Sequence, residues 1–101
     1  MRLRPDQTRF IVGRLRERLG ADSSIWLFGS RLDDALRGGD VDLLVECDLA
    51  PPRLQLAMAR QEIEDALQLP VDLVLRQRGT TLTPFQSIAM SQAVALDGLA
   101  S

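Results

Sequence analysis

The sequence predicts an α/β layer architecture, in which helices and short strands alternate along one small domain. Apolar residues recur every three or four positions in two long segments, which is the pattern of amphipathic helices. Three short apolar runs, bounded by polar residues, glycine or proline, are typical of buried strands. Since 101 residues suffice for one domain but not two, we expect a single domain over residues 1–101.

The first half of the chain is predicted to contain a helix, a strand and a short helical segment. The helix runs from about residue 6 to residue 19, because Pro5 precedes it, Gly20 follows it and an apolar stripe lies between them. The run SIWLF at residues 24–28 is read as a buried strand. Residues 31–36 can form one or two helical turns.

A second strand and a second helix follow. The run VDLLVE at residues 41–46 is the strand, and Pro51-Pro52 opens a helix over residues 53–68. The apolar positions that we expect this helix to bury are Leu54, Ala57, Met58, Ile63 and Leu67.

The last third is predicted to contain a third strand and a closing helix. The strand is VDLVL at residues 71–75. Thr83-Pro84 resembles an N-cap followed by proline at the first helical position, so a helix is expected from there to about Gln92. The run AVAL at residues 93–96 is either a terminal strand or a helical continuation.

Composition narrows the possible chemistry. The net charge is −2 and histidine, lysine and tyrosine are absent, which excludes histidine-dependent triads, histidine-ligated zinc and a phosphate-gripping lysine. The acidic balance argues against strong nucleic-acid binding. Carboxylates and hydroxyls remain, and these favour hard cations such as Mg²⁺. The single Cys47 and the lack of a long apolar run lead us to expect a cytoplasmic protein without a membrane segment.

Three groups of residues that could bind a ligand or take part in catalysis lie at predicted strand ends. Gly29-Ser30 follows the first strand, where glycine permits close backbone approach and the N–H and hydroxyl groups can hold phosphate oxygens. The same dipeptide is also common in ordinary turns. Asp40 and Asp42 open the second strand, and residues at i and i+2 share a face about 6.5–7 Å apart. An acidic, solvated strand start is the alternative explanation.

Asp72 is the third feature, because it is an acid in second position of an otherwise apolar strand. Taken alone it fits an exposed strand end. Three acids on two neighbouring strands would repel one another, and two divalent ions would relieve that repulsion while stabilising a displacement at phosphorus.

The stretch FGSRLDDALRGGDVDLLVE resembles the Gly-Ser and Asp-x-Asp signature of the polymerase-β-like nucleotidyltransferases, and PVDLVL resembles the strand that carries their third aspartate. The length is similar to that of minimal nucleotidyltransferases that act as antitoxins beside HEPN-domain toxins. The resemblance implies the polymerase-β-like palm, a small mixed sheet flanked by helices. It also implies an enzyme that uses Mg²⁺ and transfers a nucleoside monophosphate, AMP from ATP or another nucleoside triphosphate, to a hydroxyl.

The resemblance assigns roles residue by residue. Gly29 and Ser30 would bind the β- and γ-phosphates of the nucleotide, and Asp40 and Asp42 would coordinate two Mg²⁺ ions. Asp72 would complete the metal site and take the proton of the acceptor hydroxyl.

Three arginines are further candidates. Arg31 either contacts phosphate or pairs with Asp33 or Asp34. Arg76 and Arg78 are expected to flank the strand end that bears the site, either on its rim or as part of a solvated face.

The sequence permits more than one partner and more than one mechanism. We expect no extra domain that would hold an acceptor, and therefore expect a HEPN-domain partner, or a small molecule bound at a subunit interface, and a homo- or hetero-oligomer. One alternative to catalysis is a binding module that occludes a HEPN ribonuclease. Another is nucleotidyl transfer to a small molecule such as an aminoglycoside.

Overall fold

The computed structural model describes residues 3–28, 41–91 and 93–96, with three helices and four strands in that part of the chain. In chain order they are α1 (Pro5–Leu19), β1 (Ser24–Phe28), β2 (Val41–Cys47), α2 (Arg53–Leu67), β3 (Val71–Gln77), α3 (Pro84–Ser91) and β4 (Val94–Ala95). The strands form one sheet in the order β3-β2-β1-β4. β2 and β3 are parallel, whereas β1 is antiparallel to both β2 and β4, so the expected small mixed sheet with flanking helices is confirmed.

The predicted element boundaries agree closely with the structure. β1 has the predicted bounds, α1 begins one residue earlier, and β2 and β3 extend slightly further. The run at 93–96 contributes the edge strand β4, which settles the open choice in favour of a strand. The helical turns expected at residues 31–36 lie outside the described residues.

α1 forms where the sequence predicts it because both of its ends are encoded locally. Pro5 occupies the first turn, and the Arg4 backbone N–H donates to Gln7 Oε1 at 2.9 Å. At the other end the Gly20 N–H donates to the Arg16 carbonyl at 3.0 Å, with a φ of 127° that favours glycine. The expected apolar stripe is buried and consists of Ile11, Val12, Leu15 and Leu19.

The stripe that α2 buries matches the expected one only in part. Ala59, Ile63 and Leu67 are buried, whereas Leu54 is 68% exposed and Ala57 is also exposed. The inward stripe runs at spacings of four residues along the helix, and Leu54 and Ala57 fall outside it. The expectation was therefore right for Ile63 and Leu67 and wrong for Leu54 and Ala57, while Met58 is half-buried.

A bidentate ion pair fastens α1 to α2. Arg18 Nη2 and Nε donate to the two carboxylate oxygens of Glu62 at 2.8 and 3.0 Å. The hydrogen bond from Arg18 lowers the pKa of Glu62, and the nearby charge of Arg14 acts in the same direction. Arg14 and Arg18 of α1 therefore both face Glu62 of α2 and join the two helices.

Strand alternation divides the sheet into two faces. The odd-numbered strand residues, among them Ile25, Leu43 and Val45, are buried against α1 and α2 in the larger core. The even-numbered residues form the opposite face, where Phe28 and Leu44 are buried and Trp26, Val74 and Met90 pack against them. We call this opposite side the α3 face, because α3 supplies Met90 and lies over it.

α3 begins at a capping box. Thr83 Oγ1 accepts from the Gln86 N–H at 3.1 Å, and the Thr83 N–H donates to Gln86 Oε1 at 3.1 Å. With Pro84 at the first helical position, this confirms the predicted helix start. The Phe85 ring meets the Phe28 ring edge-on, with centroids 6.0 Å apart, which fixes the helix against β1. Within the described residues, no helix is long and apolar enough to cross a membrane.

Candidate functional site

The end of β1 and the starts of β2 and β3 lie side by side at one edge of the sheet. β1 ends at Phe28, which lies in register with Asp42 near the start of the antiparallel β2. β3 starts beside β2 in parallel, so Asp42 is in turn in register with Asp72. The backbone N–H of Val41 donates to the Pro70 carbonyl at 2.9 Å and extends this pairing by one step. The structure thereby brings two of the predicted site residues side by side.

Both carboxylates belong to the α3 face. The flanking residues Val41 and Leu43 are fully buried on the α1 and α2 side, so alternation sends Asp42 to the opposite side. Asp72 is placed in the same way between Val71 and Leu73. Asp42 is half-buried and Asp72 is exposed, so the pair is open to solvent at its β3 end. We call Asp42 and Asp72 the carboxylate row.

The carboxylate row has the donor chemistry of a divalent cation site. Neighbouring strands lie about 4.8 Å apart, and like charges directly opposite each other on a sheet are destabilising. A hard cation that takes oxygen ligands would offset this repulsion, and Asp42 and Asp72 fit that role as two of its ligands. Within the described ranges, however, no three acidic, histidine or cysteine residues cluster closely enough to hold a metal on their own.

The other predicted site residues belong to the segment that joins β1 to β2. Gly29, Ser30, Arg31 and Asp40 lie outside the described residues, as do the acids proposed as alternative partners of Arg31.

Arg76 and Arg78 lie at the opposite end of the sheet from the carboxylate row, so the expectation that they flank the site is wrong. β3 begins near Asp72 and runs away from it, and Arg76 lies four residues further along, or roughly 13 Å. Arg76 pairs with Glu46 and donates to the Thr80 carbonyl at 2.7 Å.

Arg78 is likewise held by neighbouring groups at that far end. Its guanidinium donates to Asp48 at 2.8 Å and to Ser24 Oγ at 2.7 Å. The hydrogen bond with Asp48 raises the pKa of Arg78. These contacts join β3 to β1 and to the end of β2, which is a structural role.

Sequence reasoning missed how the α3 face is organised between its two ends. The Phe85 ring covers Phe28, the β1 residue beside Asp42, and so borders the carboxylate row. At the far end Trp26 Nε1 donates to Glu46 Oε1 at 3.0 Å. The capping signal at Thr83 predicted the start of α3, but no local signal in the sequence indicates which strand the helix packs on.

Comparison with known proteins identifies the family. The sequence model described as "Nucleotidyltransferase domain" matches residues 9–95, most of the chain. The chain belongs to the nucleotidyltransferase domain family. Among curated proteins, none matches the chain significantly.

Solved structures share the fold of this nucleotidyltransferase domain. One is a complex of a tri-AMPylated Shewanella oneidensis HEPN toxin with an MNT antitoxin: 22% identity, TM-score 0.68, covering 93% of this chain and 77% of the other. A second is a toxin-antitoxin complex with AMP-PNP, with 22% identity and TM-score 0.70 over 97% of this chain and 82% of the other. A third, a mutant MntA-HpeT toxin-antitoxin, has 20% identity, TM-score 0.70 and the same coverages.

Proposed function

We propose that this nucleotidyltransferase domain is a metal-dependent enzyme that transfers AMP from ATP to a hydroxyl of a HEPN-domain partner protein. The observation that carries the proposal is the in-register pairing of Asp42 with Asp72 at the edge where β1 ends. The similar fold in the complex of a HEPN toxin with an MNT antitoxin supports the choice of partner, and the AMPylated toxin and the AMP-PNP complex support the choice of nucleotide.

The proposed site extends the carboxylate row with residues that adjoin it along the chain. Gly29 is bonded to Phe28 and Asp40 to Val41, and both of these described residues lie at the edge that carries the row. In the proposal Asp40, Asp42 and Asp72 hold two Mg²⁺ ions. The ions supply charge stabilisation of the attacking and leaving oxygens.

The remaining roles concern the nucleotide and the acceptor. Gly29 and Ser30 bind the β- and γ-phosphates, and the Arg31 guanidinium contacts phosphate oxygens. The acceptor hydroxyl oxygen attacks the α-phosphorus, the bond to pyrophosphate breaks, and Asp72 takes the hydroxyl proton. The exposed position of Asp72 supports this last role, because an incoming hydroxyl must reach it from solvent.

We further propose one catalytic domain over residues 1–101, working in the cytoplasm. The buried free thiol of Cys47 is consistent with a reducing compartment.

The test is the intact mass of a candidate HEPN-domain partner, sought first among the proteins encoded next to this chain, after incubation with the chain, Mg²⁺ and each nucleoside triphosphate in turn. We expect a gain of one or more AMP units with ATP, which chelation by EDTA or the Asp42→Asn substitution abolishes. Asp65→Asn is the matched control, because it removes one exposed carboxylate on α2, on the other face of the sheet. A silenced HEPN ribonuclease in a stable complex without mass gain would instead establish an occluding module.

A further inference from the structure

The segment from Gly79 to Leu96 differs from the rest of the chain in having no charged residue. Charged residues make up 26% of the sequence, yet these eighteen consecutive positions contain none. The segment includes α3 and β4. A solvated surface helix ordinarily carries charges on its outer side, so their absence from α3 needs a physical reason.

The outer side of α3 exposes large apolar side chains beside uncharged polar ones. Ile88 is 62% exposed, Phe85 is 57% exposed, and Leu82 just before the helix is 36% exposed. Phe85 and Ile88 are three residues apart and so lie on one side of the helix. We call these three residues the α3 patch. Depletion of charge with exposed aromatic and large aliphatic side chains is the composition of the core of a protein interface.

The α3 patch adjoins the carboxylate row. The Phe85 ring contacts the Phe28 ring, and Phe28 is the in-register neighbour of Asp42. The patch and the row therefore lie on the same face of the sheet, separated by one aromatic side chain. A molecule seated on the patch would therefore lie beside the row.

We infer that the α3 patch is the docking surface for the protein that carries the acceptor hydroxyl, an inference that rests on the proposed function. The partner presents a complementary apolar surface to Phe85 and Ile88, and its hydroxyl reaches the carboxylate row from there. Docking of this kind turns transfer between two molecules into a step within one complex, which raises the effective concentration of the hydroxyl at the site.

Other occupants fit the observations less well. A nucleic acid would require cations, and the patch has none on a chain of net charge −2. A small-molecule acceptor would require a concave pocket, whereas the patch is the convex side of a helix. A second copy of the chain on the patch would occupy the surface beside the carboxylate row without bringing the acceptor hydroxyl of the proposed partner.

The test compares a charged substitution on the patch with an equally exposed control. Ile88→Asp places a charge on the outer side of α3, and Leu54→Asp does the same on α2, on the other face of the sheet, where Leu54 is 68% exposed. Affinity for the candidate HEPN-domain partner is measured by calorimetry without nucleotide. Transfer is then measured against the concentration of that protein, and circular dichroism checks that each variant is folded.

We expect Ile88→Asp to weaken partner binding about tenfold or more, a loss typical of a buried interface anchor. Leu54→Asp is expected to stay within about twofold, since exposed positions outside an interface contribute little. The loss of transfer in Ile88→Asp should be recovered at high partner concentration, because the carboxylate row is intact. Ile88→Arg should weaken binding as well, because desolvating either charge is unfavourable.

Several outcomes would overturn the inference. Unchanged partner affinity in folded Ile88→Asp would do so, as would stronger binding by Ile88→Arg, which would indicate charge attraction instead of apolar contact. A wild-type dimer that Ile88→Asp dissociates, with partner affinity unchanged, would assign the patch to a second copy. Failure of the proposed transfer is a separate result, because it leaves the binding measurement able to support or reject the docking surface.

Discussion

Replacing Asp72 with asparagine should affect stability and transfer in opposite directions. Asp42 and Asp72 are in register on neighbouring parallel strands, so their charges lie on adjacent positions of one face. Because Asp72 is exposed, the dielectric constant of water applies, and two charges about 5 Å apart then repel by about 0.8 kcal/mol. The Asp72→Asn substitution removes this repulsion while keeping the size and shape of the side chain.

The stability arm is measured by thermal unfolding at low ionic strength in the presence of EDTA. We expect the melting temperature of Asp72→Asn to rise by about 4 °C, given the unfolding entropy of a domain of this size. The control Asp65→Asn removes an exposed carboxylate on α2 that accepts a hydrogen bond from Gln61, and it should show no rise. Added Mg²⁺ should raise the melting temperature of the wild type more than that of Asp72→Asn, because ligand binding stabilises the folded state.

The transfer arm uses the mass assay described above under single-turnover conditions. We expect Asp72→Asn to lower the rate by about 10²- to 10⁴-fold, the usual contribution of a positioned base. A fall in stability that Asp65→Asn does not share would refute the repulsion argument. Transfer within about twofold of the wild type would refute the catalytic role of Asp72.

Three further predictions concern the scaffold. Glu62→Gln should lower the free energy of unfolding in urea at neutral pH. The difference from the wild type should disappear as the pH falls through the pKa of Glu62, which is lowered below its usual 4.5, and a difference independent of pH would contradict this. Thr83→Ala should speed amide exchange in α3 about fivefold through loss of the cap, whereas Thr83→Ser should not. Ile63→Ala should cost about 2–5 kcal/mol in urea unfolding, against less than about 0.5 kcal/mol for Leu54→Ala; equal losses would contradict the observed stripe.

Elements with local signals could be predicted closely from the sequence. The start of α3 depends on Thr83 and Pro84, and the end of α1 depends on Gly20, all within one turn of the boundary they fix. The β1 strand has the predicted bounds because SIWLF is a short apolar run with polar residues before it and glycine after it. In each case the interactions that decide the boundary are close in sequence.

The buried stripe of α2 could not be predicted because its sequence permits two readings. Apolar residues occupy nearly every position from Leu54 to Ala59, so the helical period alone does not select one side. The choice depends on contacts with distant residues, among them the Arg18 side chain, which is 44 positions from Glu62. Such pairings are set by tertiary packing, and no local sequence pattern indicates them.

Arg76 and Arg78 illustrate a different limit. Nearness to Asp72 in the sequence suggested nearness to the site, but a strand carries its residues about 3.3 Å further with each position. Once β3 is known to start at the site edge, its later residues must lie far from it. Strand direction, and not sequence distance, therefore decides which charged residues can contribute to the carboxylate row.

The register between β2 and β3 fixes both the core and the carboxylate row. A slip of one residue between β2 and β3 would reverse the faces of every β3 side chain, turning Asp72 towards α1 and α2 and Val71 towards solvent. The apolar residues on the α1 and α2 side oppose such a slip because they would lose their burial. The pairing of Asp42 with Asp72 is thus held by residues that take no part in the proposed chemistry. It follows that the position of the carboxylates is as robust as the packing of the core.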